Sequence, residues 1–229
     1  MKGLALDTSV TKISVAAKND DHMVTASYDI GMKQSETLLP AISYVLEKAG
    51  LTASDIEYTA ICQGPGSFTG LRLGYAAVKA LECANKAPIY GISTLKANAY
   101  PYETMGKVII SIIDAKKDRF YACGYKNGTE LFPEGDYPYE KLADFINNSG
   151  EKDFILAGPT NDCTVFLETV AENIKDATFA TPCVKPAVTD SLFILAEKMI
   201  SKGDKPLQEY DGPVYLRVSE AEENISKTK

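Results

Sequence analysis

Residues 64–74, Gly-Pro-Gly-Ser-Phe-Thr-Gly-Leu-Arg-Leu-Gly, form the segment whose residue types and spacing are best suited to chemistry. The segment follows an apolar run over 58–63 and opens a helical pattern that extends to about Asn85. The free N–H groups and the positive dipole end of a helix start suit an anion, so a phosphate site is one interpretation. However, the Lys-Ser or Lys-Thr step of a P-loop is missing, and the glycines do not match G-x-G-x-x-G.

The same glycines can instead serve close helix packing. Ser67 or Thr69 is placed to cap the helix, and a face of small residues lets another helix approach closely. The spacing does not show whether that neighbour belongs to this chain or to a partner. Arg and Tyr often anchor protein interfaces, so we predict a partner surface centred on this helix. The residues of this predicted surface are Gly70, Arg72, Gly74, Tyr75, Ala77, Lys79 and Leu81.

Asp7 and Asp114 each end a strongly apolar strand pattern. Two such acids could face each other across a cleft and hold Mg²⁺, as in an ATPase. Each acid could equally cap the turn at the end of its own strand. A further glycine-rich phosphate loop follows neither acid, which disfavours the ATPase interpretation.

The histidine and cysteine residues are placed where metal or nucleophilic chemistry is not expected. His22, the one histidine, lies in a polar stretch and suits a surface turn rather than a zinc site or a Ser-His-Asp site. The cysteines lack C-x-x-C spacing, so we predict buried free thiols that are dispensable for function. We therefore expect no catalytic residue, no metal site and no cofactor. The cysteines are Cys62, Cys83, Cys123, Cys163 and Cys183.

Composition limits the partners and the compartment. The chain has 229 residues and a formal net charge of −7, whereas a protein that binds nucleic acid alone usually carries a basic patch. Its longest basic cluster, over 116–119, is small, so independent binding of a nucleic acid is disfavoured. The start is too short in apolar residues for a signal peptide, and no apolar run reaches the length of a membrane span. These features predict a cytoplasmic protein without membrane contact.

The hydrophobic pattern predicts an α/β protein made of two similar halves. Strand patterns occur over 3–9, 12–18, 23–30, 88–92, 108–114, 119–125 and 154–157, besides 58–63. Helices are expected from about Thr37 to Ala49, over 67–85, 94–100 and 139–148, from about Thr164, and over 192–200. Each half opens with an apolar strand that ends in Asp, and later has a Gly-Pro step before a helix. We predict lobes over 1–101 and 102–218, with a cleft between them, and a polar tail over 219–229.

Four segments resemble the bacterial TsaB (YeaZ) family over nearly the whole chain. They are Leu4-Ala5-Leu6-Asp7-Thr8-Ser9, Ser35-Glu36-Thr37-Leu38-Leu39-Pro40, the specific GPGSFTGLR segment and Pro213-Val214-Tyr215-Leu216-Arg217. The resemblance implies duplicated RNase H-like lobes in an actin-like, sugar-kinase-type (ASKHA) fold. It also implies a role in making threonylcarbamoyladenosine next to the tRNA anticodon. In that pathway the family is the partner of a catalytic subunit, TsaD, and works with an ATPase, TsaE, while TsaC makes the threonylcarbamoyl-adenylate donor.

The resemblance further implies that this chain lacks the metal ligands of its catalytic relative. TsaD carries an N-H-x-x-G-H segment whose two histidines hold a metal, and alignment from the glycine turn places Thr94 and Asn98 at these positions. A hydroxyl and an amide are weak ligands for such a metal. The expected function is therefore a non-catalytic subunit that binds and activates TsaD and reaches tRNA only through the complex; a homodimer is also plausible. The alternative is a metal- or ATP-dependent enzyme of the same superfold, a small-molecule kinase or acyl transferase.

Overall fold

The computed structural model describes residues 1–217, with the side chain of Met32 left out of the description. The predicted polar tail over 219–229 lies outside the described residues. The chain divides into two compact units. Unit 1 consists of Met1–Pro101 and Val184–Pro213, and unit 2 consists of Tyr102–Cys183 together with residues 214–217.

Unit 1 is built on a five-stranded mixed sheet in the order β3-β2-β1-β4-β5. The first three strands pair in antiparallel fashion, and β4 and β5 continue the sheet in parallel with β1. The central strand β1 is almost wholly buried because helices cover both faces of the sheet. The strands are β1 (Lys2–Asp7), β2 (Lys12–Asn19), β3 (His22–Asp29), β4 (Tyr58–Gly64) and β5 (Ile89–Ser93).

Successive residues of β1 point to opposite faces of the sheet and so enter two different cores. Leu4 and Leu6 pack against the first two helices, whereas Ala5 packs on the opposite side. Because alternate positions are small, α3 and α6 can lie close to the sheet on the Ala5 side. The helices of unit 1 are α1 (Gln34–Lys48), α2 (Phe68–Asn85), α3 (Thr94–Ala99) and α6 (Val188–Lys202).

Unit 2 repeats the sheet of unit 1. Its strands lie in the order β10-β9-β6-β7-β8, which is the order of unit 1 read from the other edge, and the pairings are antiparallel and parallel at the same places. This repetition confirms the duplicated RNase H-like plan. The elements are β6 (Val108–Asp114), β7 (Arg119–Lys126), β8 (Thr129–Pro138), α4 (Tyr139–Asn148), β9 (Asp153–Ala157), α5 (Thr160–Thr169) and β10 (Thr178–Ala180).

The segment Val184–Pro213 was expected in the second lobe, but the structure places it in unit 1. The reason is the apolar face of α6, which buries Leu192, Phe193 and Ala196 against the sheet of unit 1. Glu197 of the same helix also accepts a hydrogen bond from the Tyr58 hydroxyl (2.7 Å) and pairs with a neighbouring lysine of β2. The last helix therefore packs on the N-terminal sheet and belongs to its core.

Several element boundaries differ from the sequence prediction. Helix α1 begins at Gln34, so Pro40 lies inside the helix and not in its first turn. Pro40 cannot donate to the Glu36 carbonyl, yet both residues are exposed, so water can satisfy that carbonyl. Helix α5 begins at Thr160, earlier than expected. The predicted hairpin turn after β7 is confirmed at Asn127 and Gly128, which both have positive φ, as a two-residue hairpin requires.

Candidate functional site

The glycine-rich turn joins β4 to α2 on the side of the sheet that carries α1. Ser67 caps α2, because its hydroxyl accepts a hydrogen bond from the Gly70 amide at 3.3 Å. The Ser67 amide donates to the Ser9 carbonyl at 2.6 Å. An amide of the turn that an anion would use is thus bonded within the chain, which disfavours the phosphate interpretation.

The glycines of α2 pack against the turn that follows β1. A Cβ added at Gly70 would lie 2.1 Å from the Thr8 carbonyl oxygen, and one at Gly74 would lie 2.4 Å from Thr8 Oγ1. At Gly66, the same atom would lie 2.3 Å from the Ser9 carbonyl oxygen. These distances are too short for any side chain, so the small-residue face serves close packing within this chain.

This packing corrects the predicted partner surface. The predicted residues Gly70, Gly74, Tyr75 and Ala77 are buried inside unit 1, because the small-residue face turns toward the sheet and the turn after β1. Of the remaining predicted residues, Arg72 is exposed, with its guanidinium over the Phe68 ring, and Lys79 and Leu81 are half-buried. Lys79 is bonded to Glu82 and to the Gln208 carbonyl.

The outward sides of α1 and α2 carry exposed residues that, apart from Arg72, the sequence interpretation did not single out. On α2, the exposed residues recur at helical spacing and are mostly small. On α1, Leu39 and Tyr44 keep 64% and 48% of their surface exposed, although large apolar side chains usually seek burial. The exposed Leu39 was hidden in the sequence because it is adjacent to the buried Leu38. We call this set the outer α1–α2 surface: Leu39, Tyr44, Thr69, Arg72, Ala76 and Ala80.

Asp7, the acid at the end of β1, is 3% exposed and bonded within its own turn. Its Oδ1 accepts hydrogen bonds from the Ser9 amide (3.0 Å) and the Ser9 hydroxyl (2.6 Å). Burial raises the pKa of Asp7, and these two hydrogen bonds offset part of the rise. Because both hydrogen bonds close the turn that follows β1, the turn-capping interpretation of Asp7 is favoured.

Asp114 holds the corresponding turn in unit 2. Its Oδ1 accepts from the Lys116 amide at 2.8 Å, and its Oδ2 pairs with the Lys116 ammonium group. The Asp114 amide in turn donates to Asp162 of α5 at 2.9 Å. Three consecutive residues of this turn, over 116–118, have φ values of 61°, 56° and 57°. The small basic cluster of the sequence therefore lies in a tight turn where part of its charge is paired.

Thr94 and Asn98, the residues at the histidine positions of the catalytic relative, lie on α3. Thr94 is 1% exposed and lies beside the buried thiol of Cys62, whose pKa is raised by burial and by the neighbouring Asp7. Asn98 is half-buried. Helix α3 is capped by Ser93, whose hydroxyl accepts from the Lys96 amide at 3.2 Å.

The remaining candidates for metal or thiol chemistry are dispersed. Over residues 1–217, no group of three or more His, Cys, Asp and Glu side chains is arranged to hold a metal ion. His22 is exposed at the start of β3. The prediction of buried thiols holds for Cys62, Cys123 and Cys163 and is wrong for Cys83 and Cys183, which are exposed because their helix or loop turns them outward.

Two units with the same mixed five-stranded sheet give the chain an actin-like, sugar-kinase-type (ASKHA) fold. The fold of Lmo2764 from Listeria monocytogenes, a proposed N-acetylmannosamine kinase, is similar, with a TM-score of 0.51 at 11% identity over 89% of this chain and 100% of that one. The sequence model described as "TsaD: tRNA N6-adenosine threonylcarbamoyltransferase" matches residues 31–225, and the chain belongs to this family.

Named relatives confirm the resemblance to TsaB and YeaZ. The chain is 26% identical to the tRNA threonylcarbamoyladenosine biosynthesis protein TsaB of Bacillus subtilis over 96% of this chain and 95% of that protein. It is 33% identical to the TsaB of Buchnera aphidicola from Schizaphis graminum, over 58% of this chain and 64% of that protein, which is less than two thirds of its length. YeaZ from Pseudomonas aeruginosa superposes with a TM-score of 0.75 at 26% identity, covering 94% of this chain and 99% of that one.

Within residues 1–217, no helix combines the length and the apolar character that crossing a membrane requires.

Proposed function

We propose that this chain is a non-catalytic subunit in the synthesis of threonylcarbamoyladenosine, the modified nucleoside next to the tRNA anticodon. It binds and activates a TsaD-type catalytic subunit, which transfers threonylcarbamoyl from its adenylate to the tRNA adenosine. A TsaE-type ATPase works with the pair, and tRNA is reached through the complex. Support for the pathway comes from relatives named for this biosynthesis, one of which matches nearly the full length.

The observation that carries the partner role is the outer α1–α2 surface. Helices α1 and α2 pack against each other on one side of the sheet, and each presents exposed residues there. Exposed apolar side chains grouped on one face are typical of protein interaction sites. The small residues Ala76 and Ala80 allow a partner helix to approach α2 closely, while Leu39 and Tyr44 provide apolar area.

The chemistry of the other candidate residues favours a subunit without catalytic function. Thr94 is buried beside the thiol of Cys62. The hydroxyl group of Thr94 and the amide group of Asn98 are also weak ligands for a metal ion. Asp7 is enclosed as well and accepts two hydrogen bonds from its own turn. The alternative, a metal- or ATP-dependent enzyme, is tested by metal analysis and an ATPase assay on the isolated chain, where stoichiometric metal or ATP turnover would favour that alternative.

Ala76→Arg tests the partner surface, since it places a long charged side chain at the centre of the small exposed residues of α2. We expect the variant to melt like the wild type, because Ala76 is exposed, and to lose binding to the TsaD-type subunit of the same cell by at least about a hundredfold. Isothermal titration calorimetry measures the affinity. The control is Ile194→Arg, an exposed apolar residue of α6 on the opposite side of the sheet, which should bind normally.

Normal binding by Ala76→Arg would place the interface elsewhere. Sedimentation analysis of the wild-type chain and of Ala76→Arg, each without the partner, tests whether the outer α1–α2 surface also pairs two copies of this chain. A surface adapted to a related subunit can be self-complementary, so we propose that any homodimer uses this face and is disrupted by Ala76→Arg.

A further inference from the structure

The turn over 8–11, which follows β1, contacts the N-terminal end of α2. The Ser9 carbonyl accepts the Ser67 amide at 2.6 Å, which fixes the residue that caps the helix. One turn further along, Gly70 approaches the Thr8 carbonyl so closely that no Cβ would fit. The position of α2 on the sheet is thus set by the backbone of this turn.

The same turn also holds the start of α1. Gln34, the first residue of α1, donates from its Nε2 to the Val10 carbonyl at 2.6 Å and to the Thr11 carbonyl at 3.2 Å. The Oε1 atom of the same side chain would lie 3.0 Å from a Cβ at Gly70, so the amide group of Gln34 reaches both the turn and α2. Both helices of the outer α1–α2 surface are therefore anchored at one turn.

Asp7 braces this turn from the buried side. Its Oδ1 accepts two hydrogen bonds from Ser9, whose carbonyl in turn anchors α2. Asp7 and Ser9 are both buried, so water does not replace the carboxyl group. Loss of the carboxyl group would therefore leave the amide and hydroxyl donors of Ser9 buried and unpaired. The turn would then be free to adopt other conformations.

We propose that Asp7 and Ser9 are positioning residues for the outer α1–α2 surface: through the turn over 8–11 they set α1 and α2 in the relative arrangement that the partner recognises. The inference rests on the proposed function, since it concerns the same partner. In this role Asp7 acts by accepting hydrogen bonds from Ser9, and its negative charge is not required. Pre-arranged helices reduce the ordering cost of association, which is the physical route from a buried acid to partner affinity.

Substitution at Asp7 separates positioning from metal binding. Asp7→Asn keeps an oxygen that accepts from Ser9 but removes the negative charge, so it preserves a positioning role and destroys a metal-ligand role. Asp7→Ala removes both. Ser9→Ala removes one donor of the brace and leaves the acid intact, which keeps the test informative if Asp7→Ala fails to fold.

The experiment is a titration of each full-length variant with the TsaD-type subunit of the same cell, together with hydrogen–deuterium exchange of the free variants. We expect Asp7→Ala and Ser9→Ala to bind about tenfold more weakly and Asp7→Asn to stay within about threefold of the wild type. Exchange should rise at the first turns of α1 and α2 in the two weak binders. The control is Asp114→Ala, which removes the corresponding acid of unit 2 and should change neither affinity nor exchange in these helices.

Two outcomes would overturn the inference. In the first, Asp7→Ala and Ser9→Ala keep wild-type affinity although Ala76→Arg abolishes binding. The proposed function would then stand, and the positioning role would be wrong. In the second, Asp7→Asn is as defective as Asp7→Ala, which would indicate that the charge of Asp7 is required. A wild-type chain that fails to bind the TsaD-type subunit would contradict the proposed function itself.

Discussion

Gly74 lies where α2 passes closest to the hydroxyl of Thr8, and its hydrogen atom is what allows that approach. In Gly74→Ala the new methyl group would lie 2.4 Å from Thr8 Oγ1 and 3.2 Å from Ile61 Cδ1, so the Thr8 side chain or the helix itself must shift. We expect a loss of about 1–3 kcal/mol of unfolding free energy, as for overpacked cores, despite the better helix propensity of Ala. Urea unfolding measures this loss.

The matched control for this change is Gly212→Ala. Gly212 also belongs to unit 1, but a Cβ there meets no atom within 4 Å. The free energy of unfolding of this control should lie within about 0.5 kcal/mol of the wild-type value. Equal stability of the two variants would show that the approach of α2 to the turn over 8–11 is looser than the structure has it. A bulkier substitution, Gly74→Trp, is expected to disrupt folding and is therefore unsuitable as a test of the partner surface.

Substitutions at Thr94 and Asn98 test the proposed absence of catalysis at single residues. Neither side chain can replace a pair of imidazoles, so Thr94→Ala and Asn98→Ala should leave tRNA modification unchanged in a reconstituted system. Because Thr94 is buried, its truncation should cost about 1 kcal/mol of stability, and that of the half-buried Asn98 less.

Melting temperature has to be measured beside the activity of these two variants. A lower melting temperature with full activity fits a structural role for α3. A variant that melts like the wild type and leaves tRNA unmodified would show that these positions take part in chemistry, and the account of a non-catalytic subunit would have to be abandoned.

At the scale of elements, α6 belongs to the N-terminal sheet although it follows unit 2 in the sequence. Leu192 is fully buried in the core between α6 and that sheet. Leu192→Ala should therefore cost about 2–5 kcal/mol, as buried leucines typically do, and the cost should fall on unit 1. Hydrogen–deuterium exchange resolved by peptide should speed up in β1, β4 and β5.

Leu142→Ala provides the matched control, because Leu142 is equally buried but in the core of unit 2. It should speed up exchange in β6 and β9 and leave the strands of unit 1 largely unaffected. If Leu192→Ala instead loosened unit 2 first, the assignment of Val184–Pro213 to unit 1 would be wrong.

Sequence patterns predicted most elements because their signals are local. The apolar runs of β1 and β6, the turn at Asn127 and the helical spacing in α2 each depend on neighbouring residues. The start of α1 was missed because Pro40 is tolerated only through its exposure, which is a tertiary property. The packing partner of α6 was missed for the same reason. The spacing of an amphipathic helix predicts an apolar face but not the sheet on which that face packs.

The candidate site shows the same division between local and tertiary information. Spacing predicted that the glycine face of α2 packs closely, and Ser67 was one of the two caps that the sequence allowed. The neighbour of that face, Thr8, is distant in sequence, so the prediction placed buried residues such as Gly74 on a partner surface. Leu39 and Ala76 carried no signal of their own, because exposure of an apolar residue is decided by the whole fold.

For the whole molecule, the duplicated fold is compatible with the proposed role as a subunit without catalysis. Both units keep the sheet order and an acid at the end of the first strand, but Asp7 and Asp114 bond to their own turns. The fold is thus retained while these acids serve the structure. Under the proposed function, the outer α1–α2 surface is the part of the molecule that meets the related catalytic subunit.

The central claim is that this chain activates a catalytic partner and has no transferase activity of its own. The most direct measurement is the formation of threonylcarbamoyladenosine on unmodified tRNA, given threonylcarbamoyl-adenylate, a TsaD-type subunit and a TsaE-type ATPase, with and without this chain. The account predicts product only when the chain and the TsaD-type subunit are both present, and none with the chain alone. Product from the chain alone, or equal product from the TsaD-type subunit without it, would contradict the account.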